Sequence, residues 1–327
     1  MDRKSQERVL KQAAQRFGVD VSQLSPLAGG HYAQVFEWIQ NDQQFVLKIS
    51  PVESDSELAS MHAMLDWLAY LAAHDAHVVR HICSQNGNLI EPIEDDRKTY
   101  AVTAAEKLSG VRAETLPMTQ WDDALIQKLG QVLGHCHAVA QTYTPPPHLT
   151  RRPSWDHAAN CFNPIDELTA ADALIVEKRA EVLKVIRDLP VVHQDYGLAH
   201  MDIHFANFVV NAQMRDIVLI DFDDCAYGWY VMDVAMLLFD LPVVYKAGPR
   251  KELLDHFLEE FLKGYRRERD LSEFWIAQLP AFIKLLEIGV YTMLADEYDP
   301  VTCKDEWVNT FMGGREQRIR EDIPYLD

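Results

Sequence analysis

The chain has 327 residues, 48% of them hydrophobic, with 14 Gly and 15 Pro, which suits one large globular domain or two smaller ones. Its 31 basic against 50 acidic residues leave a formal charge of −19, a field that repels nucleic acid and anionic membranes and draws cations. The five cysteines are scattered, odd in number and without a C-x-x-C pair, which argues against a disulfide framework and fits a reducing cytoplasm.

The opening "MDRKSQERVLKQAAQRFGV" reads as a polar amphipathic helix without a signal peptide's apolar stretch. No apolar run reaches the length of a membrane span, so a cytoplasmic location is expected. Next, "LAGGHYAQVF" predicts a turn at Gly29-Gly30, followed by a strand near Val35–Ile39, a polar turn around Asn41-Asp42 and a second strand at Phe45–Ile49. A helix follows, with Leu58, Met61, Leu65, Leu68 and Ala72 at the spacing of one face and a capping-box pattern from Ser54 to Glu57. "NLIEPIEDDRKTYAVTAAEKLSG" predicts a hairpin ending in a connector over residues 105–110. Beyond it the pattern is mostly helical apart from short strands at "NFVVN" and "DIVLIDFDD". The expected architecture is thus α+β, with a strand-rich part over residues 1–105 and a helical part over 106–327.

Within "HQDYGLAHMDIHFAN" the pattern His-x-Asp occurs twice, as His193-Gln194-Asp195 and His200-Met201-Asp202. Only the second has an asparagine, Asn207, five residues on, then a strand, a turn, a strand and Asp221. That spacing is what phosphoryl transfer to a hydroxyl requires. One carboxylate sits beside the acceptor, while an amide oxygen and a second carboxylate on either side of a hairpin hold Mg2+. Asp195 reads as a loop residue.

Here the sequence resembles the aminoglycoside phosphotransferase/choline kinase family, whose motif is roughly His-Gly-Asp-x-His-x-x-Asn followed by Ile-Asp-Phe-Asp/Glu. The match is "HMDIHFAN", "LIDFDD" and "DVAMLL", and the resemblance extends from about residue 20 to residue 300. It implies a two-lobed protein-kinase-like fold and ATP- and Mg2+-dependent phosphorylation of a small-molecule hydroxyl, with GTP also open as donor. It further implies Asp202 as the catalytic aspartate and Asn207 and Asp221 as magnesium ligands. Lys48 would contact the α/β phosphates, Gly29 and Gly30 would close over the nucleotide, and Glu106 and Leu108 of the connector would contact it. His200 and Asp233 would order the catalytic loop.

The sequence departs from the pattern in three places. Met201 replaces the motif's glycine, which is tolerable unless that residue needs a left-handed backbone. The front loop lacks G-x-G-x-x-G. Lys48 has no obvious helix glutamate, because counting places it at Met61; Glu57, one turn earlier, is claimed equally by the helix cap.

Asp221 and Asp233 are too close in sequence for a peptide-binding activation segment, which favours a small acceptor, a metabolite (cationic or not) or an aminoglycoside-like molecule, held by residues 151–190 and the C-terminal helices. Tyr227 and Trp229 could face such an amine or pack in the core, and "DEYD" at Asp296–Asp299 could meet it or be a solvated turn. Two rival readings remain: a metallohydrolase using His193, Asp195, His200, Asp202 and His204, and a catalytically inactive kinase fold serving as a binding module. His135 and His137 in "GHCH" point about 200° apart on a helix, which argues against a joint metal site and favours a packed histidine beside a polar one.

Overall fold

The opening helix, α1 (Arg3–Arg16), lays Val9, Ala13 and Ala14 against a five-stranded antiparallel sheet. The chain is seen here as a computed structural model that describes residues 3–27, 33–96, 98–157, 173–246, 250–295 and 298–325. Gly29 and Gly30 lie outside the described residues, as do residues 158–172. The chain forms two units, Met1–Ser109 with Tyr143–Arg152, and Gly110–Thr142 with Pro153–Asp327.

In the first unit, β1 (Ser25–Leu27), β2 (Gln34–Gln40), β3 (Gln43–Val52), β4 (Ile90–Asp95) and β5 (Lys98–Glu106) are arranged in the order β1-β2-β3-β5-β4. Asn41 and Asp42 turn β2 into β3 with φ of 52° and 62°, the left-handed pair that a two-residue hairpin needs and that Asn and Asp tolerate best. Strict alternation along β3 buries Phe45, Leu47 and Ile49 with Trp38, Val102 and the α1 residues, each worth about 1.5–3 kcal/mol of burial. Lys48 therefore emerges on the opposite, half-buried face, paired in register with Val35 and Thr103.

Helix α2 (Asp55–Ala73) buries Met64, Leu65, Trp67, Leu68 and Leu71, with Leu58 and Met61 half-buried at its N-terminal end. Residues 143–152, expected with the helical part, pack on α2 instead. Tyr143 donates to Asp66 at 2.7 Å and Arg152 to the Ser60 hydroxyl at 2.7 Å, polar contacts that hydropathy does not reveal.

In the second unit, β6 (Val111–Arg112) leads into α3 (Asp123–Ala140), whose first turn is capped by Asp122 accepting the Leu125 N–H at 2.9 Å. Then come α4 (Ala173–Arg187), β7 (Tyr196–Ala199), β8 (Phe208–Asn211), β9 (Asp216–Leu219) and β10 (Ala226–Trp229). The expected β8–β9 hairpin carries β6 on its edge. The β7–β10 ribbon was not expected; Gly197 and Gly228 face each other in it, and glycine dilutes a strand's signature. The chain ends with α5 (Val231–Tyr245), α6 (Arg250–Tyr265), α7 (Glu273–Ile276), α8 (Leu279–Ala295), α9 (Glu306–Met312) and α10 (Arg315–Arg320).

One expectation needs correction. The stretch Glu273–Ala295 is long and apolar enough to cross a membrane, although half of its most apolar window is buried within the protein. Its buried residues include Glu287, which accepts from the buried Arg315 guanidinium at 2.7 Å, the pairing of a packed core helix.

Candidate active site

The loop between β7 and β8, residues 200–207, carries Asp202 and is held at both ends by carboxylates of α5. Asp233, fully buried, accepts the His200 N–H at 2.9 Å on one oxygen and the Met201 N–H at 2.7 Å on the other. Asp240, two turns later and 2% exposed, accepts the Phe205 N–H and the Trp307 indole N–H, each at 2.8 Å. The seven-residue spacing sets both carboxylates on one face of the helix. Burial raises the pKa of Asp240, whereas its hydrogen bonds from His137, Met201 and His200 outweigh burial at Asp233 and keep that carboxyl below its ordinary range.

Met201 has φ of 68°, so the position does require the left-handed backbone that glycine would adopt freely. The methionine is tolerated because its side chain is fully buried and because Gly228 leaves it room: a Cβ at 228 would lie 2.0 Å from the Met201 methyl. His200, 1% exposed, bonds the Ile220 carbonyl through Nε2 at 2.9 Å and stacks on Phe222, tying the loop to the segment that bears Asp221.

Asn207 donates its side-chain amide to the Asp202 carboxylate at 2.9 Å and to the Asp202 carbonyl at 2.8 Å, fixing the carboxylate's direction. With the amide nitrogen committed to Asp202, its oxygen is left to face another group. The Asn207 carbonyl accepts the Ile220 N–H at 3.0 Å, so closing the β8–β9 hairpin sets Asn207 beside the residue that precedes Asp221. An amide oxygen and a carboxylate at the two ends of a hairpin are hard donors suited to a divalent cation that keeps further ligands of its own. His204 lies 3.5 Å from the Asp202 carboxylate. Burial lowers its pKa, but Asp202, with Asp240 and Glu114 nearby, prevails and raises it to about 9, so it is a cation at neutral pH.

The first His-x-Asp pair lies in a turn. Asp195 accepts the Tyr230 N–H through its carbonyl and has its carboxylate 3.8 Å from Arg269. Among the described residues no group of three or more His, Cys, Asp and Glu side chains is placed to hold a metal ion, which removes the basis for the metallohydrolase reading. Trp229 is 2% exposed and packs against Trp155, Tyr196, Trp275 and Phe282, a core residue; Tyr227 is half-buried. Asp299 caps an exposed turn by accepting the Val301 N–H at 2.8 Å; Asp296 lies outside the described residues.

In the first unit, Ser54 caps α2, and Glu57 turns its carboxylate back to accept the Glu53 N–H at 2.8 Å. Glu106 ends β5 opposite Phe45, and Leu108, half-buried, follows in the connector. His135 bonds Glu268 at 3.0 Å, while His137 is buried and bonds Asp233 at 2.9 Å. The sequence had separated these two histidines by their direction, but not shown that His137 touches the loop's anchor.

A buried aspartate that clamps the loop, a carboxylate oriented by the asparagine five residues on, and a hairpin ending in a second aspartate fit a small-molecule phosphotransferase. The sequence profile of the phosphotransferase enzyme family matches residues 23–271, and the chain belongs to that family. The amicoumacin kinase of Bacillus subtilis (strain 168) is 28% identical over 315 residues, 95% of this chain and 91% of that protein. A solved amicoumacin kinase in complex with AMP-PNP, Ca2+ and Ami superposes with a TM-score of 0.84 at 25% identity, covering 98% of this chain and 94% of that one. A microcompartment-associated aminopropanol kinase shares the fold with a TM-score of 0.72 at 20% identity, covering 98% of this chain and all of that one. The inactive-scaffold reading gives way to an enzyme.

Proposed function

We propose that this protein transfers the γ-phosphoryl group of ATP to a hydroxyl of an antibiotic-like small molecule, with amicoumacin the first acceptor to test. The observation that carries this reading is the Asn207 amide bonded to Asp202, which aims one carboxylate of a loop otherwise fixed by buried anchors. Asp202 would accept the proton of the acceptor hydroxyl as its oxygen attacks phosphorus and the bond to the ADP oxygen breaks. Asn207 would hold the carboxylate in place, with His204 as a counter-charge 3.5 Å from it. Magnesium, held by Asn207 and Asp221, would supply charge neutralisation of the phosphates. Lys48 would contact the phosphates, and Glu106 and Leu108 the nucleotide. The net charge of −19 favours an acceptor that carries positive charge.

The test is phosphate transfer from ATP and Mg2+ to amicoumacin, read by mass spectrometry, for wild type and Asp202→Asn. A phosphorylated product from wild type, and its loss in the variant with ATP binding retained, supports the reading. Transfer at the wild-type rate by the variant would sink Asp202 as the base; nucleotide hydrolysis without any acceptor product would sink the acceptor class.

A further inference from the structure

The anchor of the catalytic loop is itself held by a chain of buried groups that the reaction, as described, does not use. His137 of α3 bonds Asp233 through Nε2 at 2.9 Å and the Tyr265 hydroxyl through Nδ1 at 2.8 Å. The Tyr265 hydroxyl in turn receives an N–H from Arg269 at 3.2 Å. The Arg269 guanidinium lies 4.4 Å above the Tyr230 ring and donates to the Gln194 carbonyl.

Only one arrangement of protons satisfies this chain. An ionised Asp233 accepts and cannot donate, so His137 Nε2 carries a hydrogen. Burial, with Arg269 and His200 acting in the same sense, holds His137 below its ordinary pKa against the pull of Asp233, so its Nδ1 is a lone pair. Tyr265 must then donate to Nδ1, which leaves its oxygen to accept from Arg269. Hydrogen bonds that all run one way polarise one another. The groups facing His137 are Asp233 of α5, Tyr265 at the end of α6 and Arg269 beyond it, the Tyr230 ring at 4.6 Å, and His200 of the loop.

Tight helix packing delivers Tyr265 to this place. A Cβ at Gly134 would lie 2.7 Å from the Tyr265 carbonyl oxygen, and one at Gly264 would lie 1.8 Å from the Gln127 carbonyl oxygen. The two glycines let α3 and α6 approach backbone to backbone, closer than any larger residue allows.

We propose that Tyr265 and Arg269 are positioning residues of the transfer reaction, acting through His137 to fix how Asp233 grips the strained Met201 and with it the catalytic loop. This inference rests on the kinase reading of the loop. Without the Tyr265 hydroxyl, the Nδ1 lone pair is left buried and unpaired, and His137 takes up a proton more readily. The resulting imidazolium competes with the Met201 and His200 N–H groups for Asp233.

The test compares wild type with Tyr265→Phe, Arg269→Gln and Arg269→Lys, measuring kcat and KM for ATP between pH 5.5 and 8.5. Tyr265→Phe and Arg269→Gln are expected to lower kcat on the order of tenfold while leaving KM for ATP within about twofold. Both are expected to show a fall in kcat below pH 7 that wild type lacks, and Arg269→Lys, which keeps charge and donor, to recover most of the loss. Variants whose kcat and pH profile superimpose on wild type, or whose kcat and KM deteriorate together, would overturn the proposal. A second readout does not depend on activity: nitrogen-15 NMR of His137 should show the hydrogen on Nε2 in wild type and a proton gained in Tyr265→Phe. The reverse tautomer, or an imidazolium already present in wild type, would refute the chain. Absence of transfer by wild type with the expected tautomer would refute only the kinase reading on which the loop's role rests.

Discussion

Met201→Gly and Gly228→Ala are each expected to destabilise the protein, and the double variant is expected to lose less than the sum. Met201 is fully buried. Removing its side chain forfeits about 2–5 kcal/mol once the residual cavity is included. The left-handed backbone at φ of 68° offsets part of this, because glycine relieves roughly 1–2 kcal/mol of strain there. The net loss should be about 1–3 kcal/mol. Alanine at 228 would bring a methyl group 2.0 Å from the Met201 methyl and 2.9 Å from the Met232 sulfur, an overpacking worth about 1–3 kcal/mol. In the glycine background the nearer collision is gone and the new methyl fills part of the cavity, so the coupling should be about 1–2 kcal/mol. Urea unfolding of the four proteins measures it, with equal slopes confirming that stability alone has changed. Additivity within about 0.5 kcal/mol would show that the two side chains do not compete for one space, and the account of Met201 would fail.

Asp221→Ala and Asn207→Ala should each abolish the Mg2+-dependent rise in thermal midpoint that ATP gives wild type. A Mg2+-dependent rise surviving in both variants would remove them as ligands. Asp240→Asn turns a group that accepts the Phe205 and Trp307 N–H groups into one that faces a donor with a donor, and should cost about 1–3 kcal/mol in urea unfolding and lower kcat more than KM. On the pH axis, only the unfolded chain protonates at His137 below about pH 6.5, so stability should fall on acidification by up to about 1.4 kcal/mol per pH unit. His204 works in the other direction, its contribution full below about pH 6.5 and lost as pH rises from there through about 9, so the thermal midpoint should peak near pH 6.5. A midpoint flat from pH 5.5 to 7.5 would contradict the burial of neutral His137.

The proximity of Asp202 to Asn207, and of Asn207 to the residue before Asp221, was legible because these contacts are made within and beside one hairpin, where sequence separation and spatial separation agree. The β2–β3 turn was legible for the same reason. Contacts between distant segments were not: His137 and Asp233 are 96 residues apart, and nothing local in "GHCH" distinguishes a histidine that bonds a carboxylate from one packed among apolar neighbours. The left-handed backbone at Met201 was hidden because the residue type argued against it, and its accommodation depends on Gly228, 27 positions away. Asp240 does carry a local signal. It stands with Asp233 as an acid within a helix whose other residues from Val231 to Val243 are apolar and buried, at an interval of seven.

That signal has a general physical basis. A carboxylate placed in a fully buried helix loses several kcal/mol of hydration unless donors replace the water, and an apolar helix has no spare donors of its own. Its partners must come from elsewhere in the chain, from side chains or from backbone N–H groups outside regular structure. In this protein both acids of α5 find backbone N–H groups of the loop that carries Asp202, at residues 200, 201 and 205. The requirement runs both ways: a loop without sheet or helix partners must have its buried N–H groups satisfied, and a rigid helix is the firmest place from which to do so. Two buried acids a heptad apart thus mark the helix on which the loop bearing Asp202 is built. The difference in their pKa directions follows from their partners, since Asp233 gains His137 in addition to two N–H groups while Asp240 is left with burial as the stronger influence.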